Sequence, residues 1–171
     1  VEFAGIFRAA GAEVTIVIRG DKILRGFDAD IRDHLSAELV KQGIAIRGGA
    51  KIARVERDGD AFRAVLESGE TLPADRVMYA TGRVPNTRDM GLEEAGVHLD
   101  KAGAVAVDEW QQSTVPGIYA VGDVTNRVNL TPVAIAEGRA LAETLFNANP
   151  MSMDHADIPA AVFSQIGRAH V

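Results

Sequence analysis

The sequence reads as an α/β protein, with a parallel sheet and its covering helices followed by an antiparallel β-meander. Three observations point there. Helical periods alternate with β-branched runs over residues 1–47, a two-residue alternation takes over at 51–66, and two later apolar runs end in glycine-containing turns. The 171 residues suffice for one domain and fall short of two. Hydrophobic residues make up 47% of the chain with no run long enough for a transmembrane helix, so a membrane span, a disordered chain and a collagen-like chain are excluded. A net charge of -6 argues against a basic nucleic-acid surface. With no cysteine in the chain, disulfide scaffolds, Cys-ligated zinc and a Cys nucleophile within it are ruled out. No signal peptide is visible, and Val1 falls inside a helical pattern, so the chain reads as an internal fragment of a longer protein.

Taken in order, Val1, Phe3, Ala4, Ile6, Phe7 and Ala10 fall at helical spacing, and Gly11 suits the left-handed position that ends a helix. Val14–Ile18 is β-branched apart from no residue, which predicts a strand buried on both faces. Asp28 is placed to cap a helix over 29–41 with Ile31, Leu35, Leu39 and Val40 as its apolar stripe, closed by Gly43 and followed by a strand at 44–47. Residues 51–57 and 62–66 alternate around a Gly59-Asp60 turn, with a second turn at Ser68-Gly69-Glu70. Buried strands are predicted at Asp75–Ala80 and Ile118–Val121, separated by a loop-rich stretch. Pro132 opens a long helix that runs to about Asn147, with Ala134, Ile135, Leu141, Ala142 and Leu145 on its apolar face. Trp110, Tyr79 and Phe163 read as packing residues, the separated His34, His98 and His155 do not suggest a metal site, and Met151–Asp154 reads as a linker.

Two strand ends carry the chemical signal, because open parallel sheets bind ligands beyond the carboxyl ends of their strands. At the first, a dinucleotide fold that uses NAD would place an acid on the ribose hydroxyls. Here Ile18 holds that place, with Arg19 next and Arg25 six residues on. Two guanidinium groups without an acid suit a ribose that bears a 2′-phosphate, and read equally well as solvated surface arginines. At the second, Gly122 allows close backbone approach and Asp123 can accept hydrogen bonds from a polyol, although Gly-Asp is also a plain turn.

Six stretches in order resemble the FAD-dependent pyridine nucleotide–disulfide oxidoreductases, in particular their glutathione reductase branch. They are Val1–Gly5, Ile18-Arg19 with Leu24–Asp28, Ala80–Thr87, Ala120–Val124, Asn129–Ala134 and Ile158–Gln165. The resemblance implies a Rossmann-like FAD/NAD(P)-binding fold, incomplete in this chain, with FAD and NADPH as cofactors. On the NADPH side it matches Arg19 and Arg25 to a 2′-phosphate clamp, Glu2 to a helix glutamate near the nicotinamide, and Gly82 to a glycine lying along the nucleotide. Asn129 and Ala161 match positions that reach the carboxamide through backbone groups. On the FAD side it matches Asp123 to the aspartate that holds the ribitol and Thr131 to the helix N-terminus facing the flavin pyrimidine edge. NAD-using relatives such as lipoamide dehydrogenase carry an acid where Ile18 stands.

The same resemblance divides the chain into an NADPH-binding domain at 1–84, the second half of an FAD-binding domain at 85–155 and the start of a dimerisation domain at 156–165. It implies that a Gly-rich fingerprint, a redox-active Cys pair and a His–Glu pair lie outside the chain, which is then inactive alone and has no catalytic residue of its own. In the whole enzyme, electrons would pass from NADPH through FAD and the Cys pair to glutathione disulfide, in a cytoplasmic homodimer without nucleic-acid or membrane partners. Trypanothione or mercuric reductase relatives, and a non-catalytic nucleotide-binding module, are the alternatives. Residues 166–171 depart from the family and read as a non-native tail, of the form a translated sequencing adapter would leave.

Overall fold

The computed structural model describes residues 1–164, which form two compact units: Val1–Tyr79 with the described residues from Ala160 onward, and Ala80–Pro159. The expected tail at 166–171 lies outside the described residues. In the first unit α1 (Glu2–Ala9), β1 (Val14–Val17), α2 (Ala29–Lys41) and β2 (Ile44–Arg47) are followed by β3 (Ile52–Asp58), β4 (Ala61–Leu66) and β5 (Thr71–Ala74). The parallel and antiparallel parts expected from the sequence are both present. β1 pairs with β2 in parallel, Val14 opposite Ile44 and Val17 opposite Arg47, and β3-β4-β5 is an antiparallel sheet.

Local signals explain the helix ends. After α1, Gly11 takes a φ of 94°, its N–H donates to Arg8 O and the next N–H, of Ala12, donates to Phe7 O. This paired closure satisfies two carbonyls that the helix cannot. The Asp28 carboxylate caps α2 by accepting from the Asp30 N–H at 2.9 Å, and Gly43, at φ 83°, closes it. Arg8 joins the two helix ends, its Nε donating to Gln42 O at 2.8 Å.

The core of this unit is Ala4, Ile23, Leu39 and Ile44, with Val14, Ile16, Ile18 and Leu35 packed against it. One residue from each helix, one from β2 and one from the loop after β1 therefore share a cluster. Burying an aliphatic side chain of this kind stabilises by about 1.5–3 kcal/mol. The predicted stripe of α2 is narrower than expected: Leu39 is buried and Leu35 half-buried, while Ile31 and Val40 are exposed. β1 is half-buried rather than covered on both faces, because among the described residues only β2 pairs with it. On α1, Ala4 faces the core, and Phe3 and Phe7 stack on each other at 5.9 Å on the exposed side.

The meander contains a third strand that the sequence does not announce. β5 occupies Thr71–Ala74, and Pro73 is tolerated there because β5 is the edge strand. The predicted buried strand at Asp75–Ala80 is absent: the segment has no ladder partner among the described residues, and Met78 and Tyr79 are 51% and 66% exposed.

The second unit is mostly loops, closed by a 3-10 turn (Gly122–Thr125) and α3 (Thr131–Phe146). Its loops are fixed by side-chain oxygens. Asp100 accepts from the Ala102 and Ala104 N–H groups, Asp108 from those of Trp110 and Gln112, and Thr87 Oγ1 donates to Gly103 O. The expected strand at Ile118–Val121 is reduced to one bridge, between Gln112 and Tyr119. As at 75–80, apolar content alone does not make a strand where the described residues supply no ladder. Pro132 is the second rather than the first residue of α3, and the helix buries Val133, Glu137 and Ala140 instead of the expected face, leaving Ile135 and Leu145 exposed. Trp110 and Phe163 are likewise exposed rather than packed. Met151 is no free linker, since its N–H donates to Thr144 Oγ1 and its carbonyl accepts from the same hydroxyl.

Two substitutions test these packing relations. Leu39→Ala removes the most enclosed side chain of the first core and is expected to cost about 2–5 kcal/mol in chemical denaturation of the intact protein. A cost near zero would contradict the central place given to Leu39. Gly122 has a φ of 73°, and a Cβ there would lie 2.9 Å from that of Ala134. Gly122→Ala is therefore expected to destabilise by about 1–3 kcal/mol, and an unchanged denaturation midpoint would refute the tight seating.

Candidate functional site

In the first unit the loop after β1 carries Arg19 and Arg25. Pairing continues beyond the strand itself: Ile18 N–H donates to Arg47 O, Ala50 N–H to Ile18 O and Gly49 N–H to Gly20 O, each at 3.0 Å. Gly48 lies so close that a Cβ on it would sit 2.5 Å from Asp21 O. From the other side, Arg32 on α2 donates Nε to Ile23 O at 2.7 Å and Nη2 to Lys22 O at 2.9 Å, and Lys22 pairs with Asp33. Ile23 itself is buried in the core. The loop is thus tied down at its start and in its middle, while Arg19 and Arg25 are exposed and neither side chain hydrogen-bonds or pairs with a carboxylate among the described residues.

Glu2 opens α1, and its Oε1 accepts from the Phe163 N–H at 2.9 Å. A Cβ on Gly5 would collide with Ser164 O. Glu2 and Phe163, like Gly5 and Ser164, are therefore neighbours in space although about as far apart in sequence as the described chain allows, and Ala161 is exposed. That bond uses one carboxylate oxygen of Glu2 and leaves the other without a partner among the described residues.

In the second unit Asp123 lies in the 3-10 turn, with its side chain 54% exposed and its Oδ2 3.9 Å from Arg83 Nε. Gly82, the residue before Arg83, has a φ of 144°, which favours glycine, and no atom lies within 4 Å of where its Cβ would be. Asn126 ends the turn in the left-handed conformation, and its Oδ1 accepts from Asn129 Nδ2 at 3.1 Å. Thr131 is the first residue of α3. Leu130 provides no side-chain cap, so among the described residues no side chain takes up the first-turn N–H groups, and the positive end of the helix dipole is concentrated there.

A cluster that the sequence reading missed lies behind this turn. Glu137 is 1% exposed. Its Oε2 accepts from the Gly122 N–H at 2.6 Å, and its Oε1 lies 3.2 Å from Arg127 Nη2 and 2.6 Å from His155 Nε2. Arg127 Nη2 also donates to the buried Gln111 Oε1. The sequence did hold a signal: Val133, Glu137 and Ala140 share a helical face, and a carboxylate in the middle of a buried stripe demands partners.

Comparison with known proteins places this geometry in a family. Residues 1–138 match the model of the pyridine nucleotide-disulphide oxidoreductases. A glutathione reductase of Burkholderia cepacia is 51% identical over 170 residues, covering 99% of this chain and 38% of that protein. A trypanothione reductase of Trypanosoma congolense is 46% identical over 168 residues, covering 96% of this chain and 34% of its own. Among solved structures, the HOCl-induced flavoprotein disulfide reductase of Escherichia coli superposes with a TM-score of 0.83 at 29% identity, over 88% of this chain and 34% of that one. The chain thus spans somewhat over a third of the length of these relatives. With a family model matched over most of its residues, the chain belongs to the pyridine nucleotide–disulphide oxidoreductase family.

Proposed function

We propose that this chain selects NADPH and supplies part of the FAD site in a flavoprotein disulfide reductase whose substrate is glutathione disulfide. The observation that carries the reading is the pair of free guanidinium groups, Arg19 and Arg25, on a braced loop at the carboxyl end of β1, with Ile18 where an acid would favour NAD. Similarity to the Burkholderia cepacia glutathione reductase supports the substrate. That to the Trypanosoma congolense trypanothione reductase favours a trypanothione-type disulfide as the second reading.

The residues fit both nucleotides. Arg19 and Arg25 supply the charge-assisted donors that a 2′-phosphate needs, and the bracing of their loop lowers the ordering cost of binding. Within the first unit, Glu2 and the backbone at Ala161 serve the nicotinamide end. Asp123, half exposed on its turn, accepts from ribitol hydroxyls. Thr131 stands at a helix end suited to the negative charge that a reduced flavin carries at its pyrimidine edge. FAD, when bound, supplies the two-electron relay from NADPH to a disulfide. The proposed division is an NADPH-binding part at 1–84, an FAD-side part at 85–155 and the beginning of an interface domain at 156–165. The intact enzyme is proposed to be a cytoplasmic homodimer without a membrane or nucleic-acid partner, and the chain alone to have no reductase activity. Among the described residues no helix is long and apolar enough to cross a membrane.

NADPH-dependent turnover of glutathione disulfide by the full-length protein tests the activity, and preferential turnover of trypanothione disulfide would select the second reading. A full-length protein that binds NADPH and turns over neither disulfide would indicate a nucleotide-binding module. Replacement of Arg19 or Arg25 by Ala removes a charged contact worth about 1.5–3 kcal/mol, so NADPH affinity should fall by at least about tenfold per residue while NADH affinity holds. Equal loss for NADH would contradict the clamp.

A further inference from the structure

Asp123 is only as well placed as the turn that carries it, and that turn is held at Gly122 on three sides. Glu137 Oε2 accepts the Gly122 N–H at 2.6 Å, Thr125 Oγ1 donates to Gly122 O at 2.8 Å, and the Cα faces Ala134 with no room for a side chain. Two of these three contacts come from α3, from residues 134 and 137 on neighbouring turns of one helix. We propose that Glu137 is a positioning residue for the flavin ribityl chain: it fixes the backbone immediately before Asp123 and so sets where that carboxylate stands. The inference rests on the FAD reading of Asp123 given above.

The surroundings of Glu137 suit this role. A buried carboxylate is costly unless its oxygens are occupied, and here one oxygen takes the backbone N–H while the other meets Arg127 and His155. Arg127 is itself steadied by Gln111 Oε1. Because Arg127 follows the turn by two residues, Glu137 grips the chain on both sides of Asp123: at Gly122 through a backbone N–H and at Arg127 through a guanidinium. A Gln at 137 can still accept from the Gly122 N–H and gives up the charge that faces Arg127 and His155. An Ala gives up both.

Three variants of the full-length protein test this, each stripped of flavin and titrated with FAD by flavin fluorescence, with NADPH affinity and the visible flavin spectrum as companion readouts. Glu137→Ala is expected to weaken FAD binding by about tenfold or more and to alter the bound-flavin spectrum, with NADPH affinity unchanged. Glu137→Gln is expected to recover at least roughly threefold of that loss, since the backbone acceptor survives. Should Glu137→Ala fail to fold, the double variant Arg127→Met, Glu137→Leu replaces the ion pair with apolar groups of similar size. It should show the same selective loss of FAD. Unchanged FAD affinity in the Ala or the double variant overturns the proposal, as does an equal loss of FAD and NADPH or a Gln variant as weak as Ala. If the wild-type protein binds no FAD, the FAD reading of Asp123 falls, and this inference with it. If the wild-type protein binds FAD and Asp123→Asn alone weakens it, only the role given to Glu137 falls.

Discussion

The guanidinium of Arg32, set on α2, holds the carbonyls of Lys22 and Ile23, and the Ile23 side chain is buried against Leu39, Ile44 and Ala4. Much of the first unit depends on this arrangement. It makes the loop after β1 part of the core instead of an appendage, and it joins that loop to both helices and to β2. The loop could not otherwise present two long cationic side chains at low cost, since each carries rotamer entropy and their positions would vary with the backbone beneath them. With Lys22 and Ile23 fixed from within and Ile18 and Gly20 fixed by pairing with the β2–β3 connection, the freedom left at Arg19 and Arg25 is mainly that of the side chains.

The second unit solves a similar problem by other means. It has little regular structure to position Asp123, so the work falls to buried polar contacts. Glu137 reaches from α3 to the Gly122 N–H, and Gly122 is small enough for the turn to lie directly on Ala134. A charge buried this deeply is a weak source of stability and a strong source of placement, because few alternative arrangements satisfy its oxygens. In one unit an apolar cluster fixes the loop, and in the other an ionic one fixes the turn. Both leave the proposed binding groups exposed while tying down the backbone under them.

What could be read from the sequence follows the range of each interaction. Gly11, Asp28 and Gly43 mark helix ends through contacts within a few residues, and all three act as their local pattern predicts. The β1–α2–β2 alternation and the antiparallel meander were also legible, since their periods are local. Strands were misread at 75–80 and 118–121, because a run such as Val77-Met78-Tyr79 has strand-like composition and becomes a strand only where another segment pairs with it. The exposed Ile31, Val40 and Ile135 have the same origin: a helical stripe shows which face is apolar, and the partners available decide how much of it is covered. At the candidate site, Arg19, Arg25 and Asp123 were legible as residue types at strand ends. The contacts that hold them were not, since Arg32 binding backbone carbonyls and Glu137 binding a backbone N–H leave no pattern in the residues they grip. Nor does the proximity of Glu2 to Phe163 leave any trace along the chain.

Adenosine 2′,5′-bisphosphate isolates the proposed selection of a 2′-phosphate by the braced arginine pair from everything else NADPH contacts. Calorimetric titration of the full-length protein with this ligand and with adenosine 5′-monophosphate measures what the one extra phosphate contributes. The bisphosphate is expected to bind at least about tenfold more tightly, with an advantage that shrinks as ionic strength rises. Equal affinities for the two nucleotides, or a preference for the monophosphate, would contradict the account.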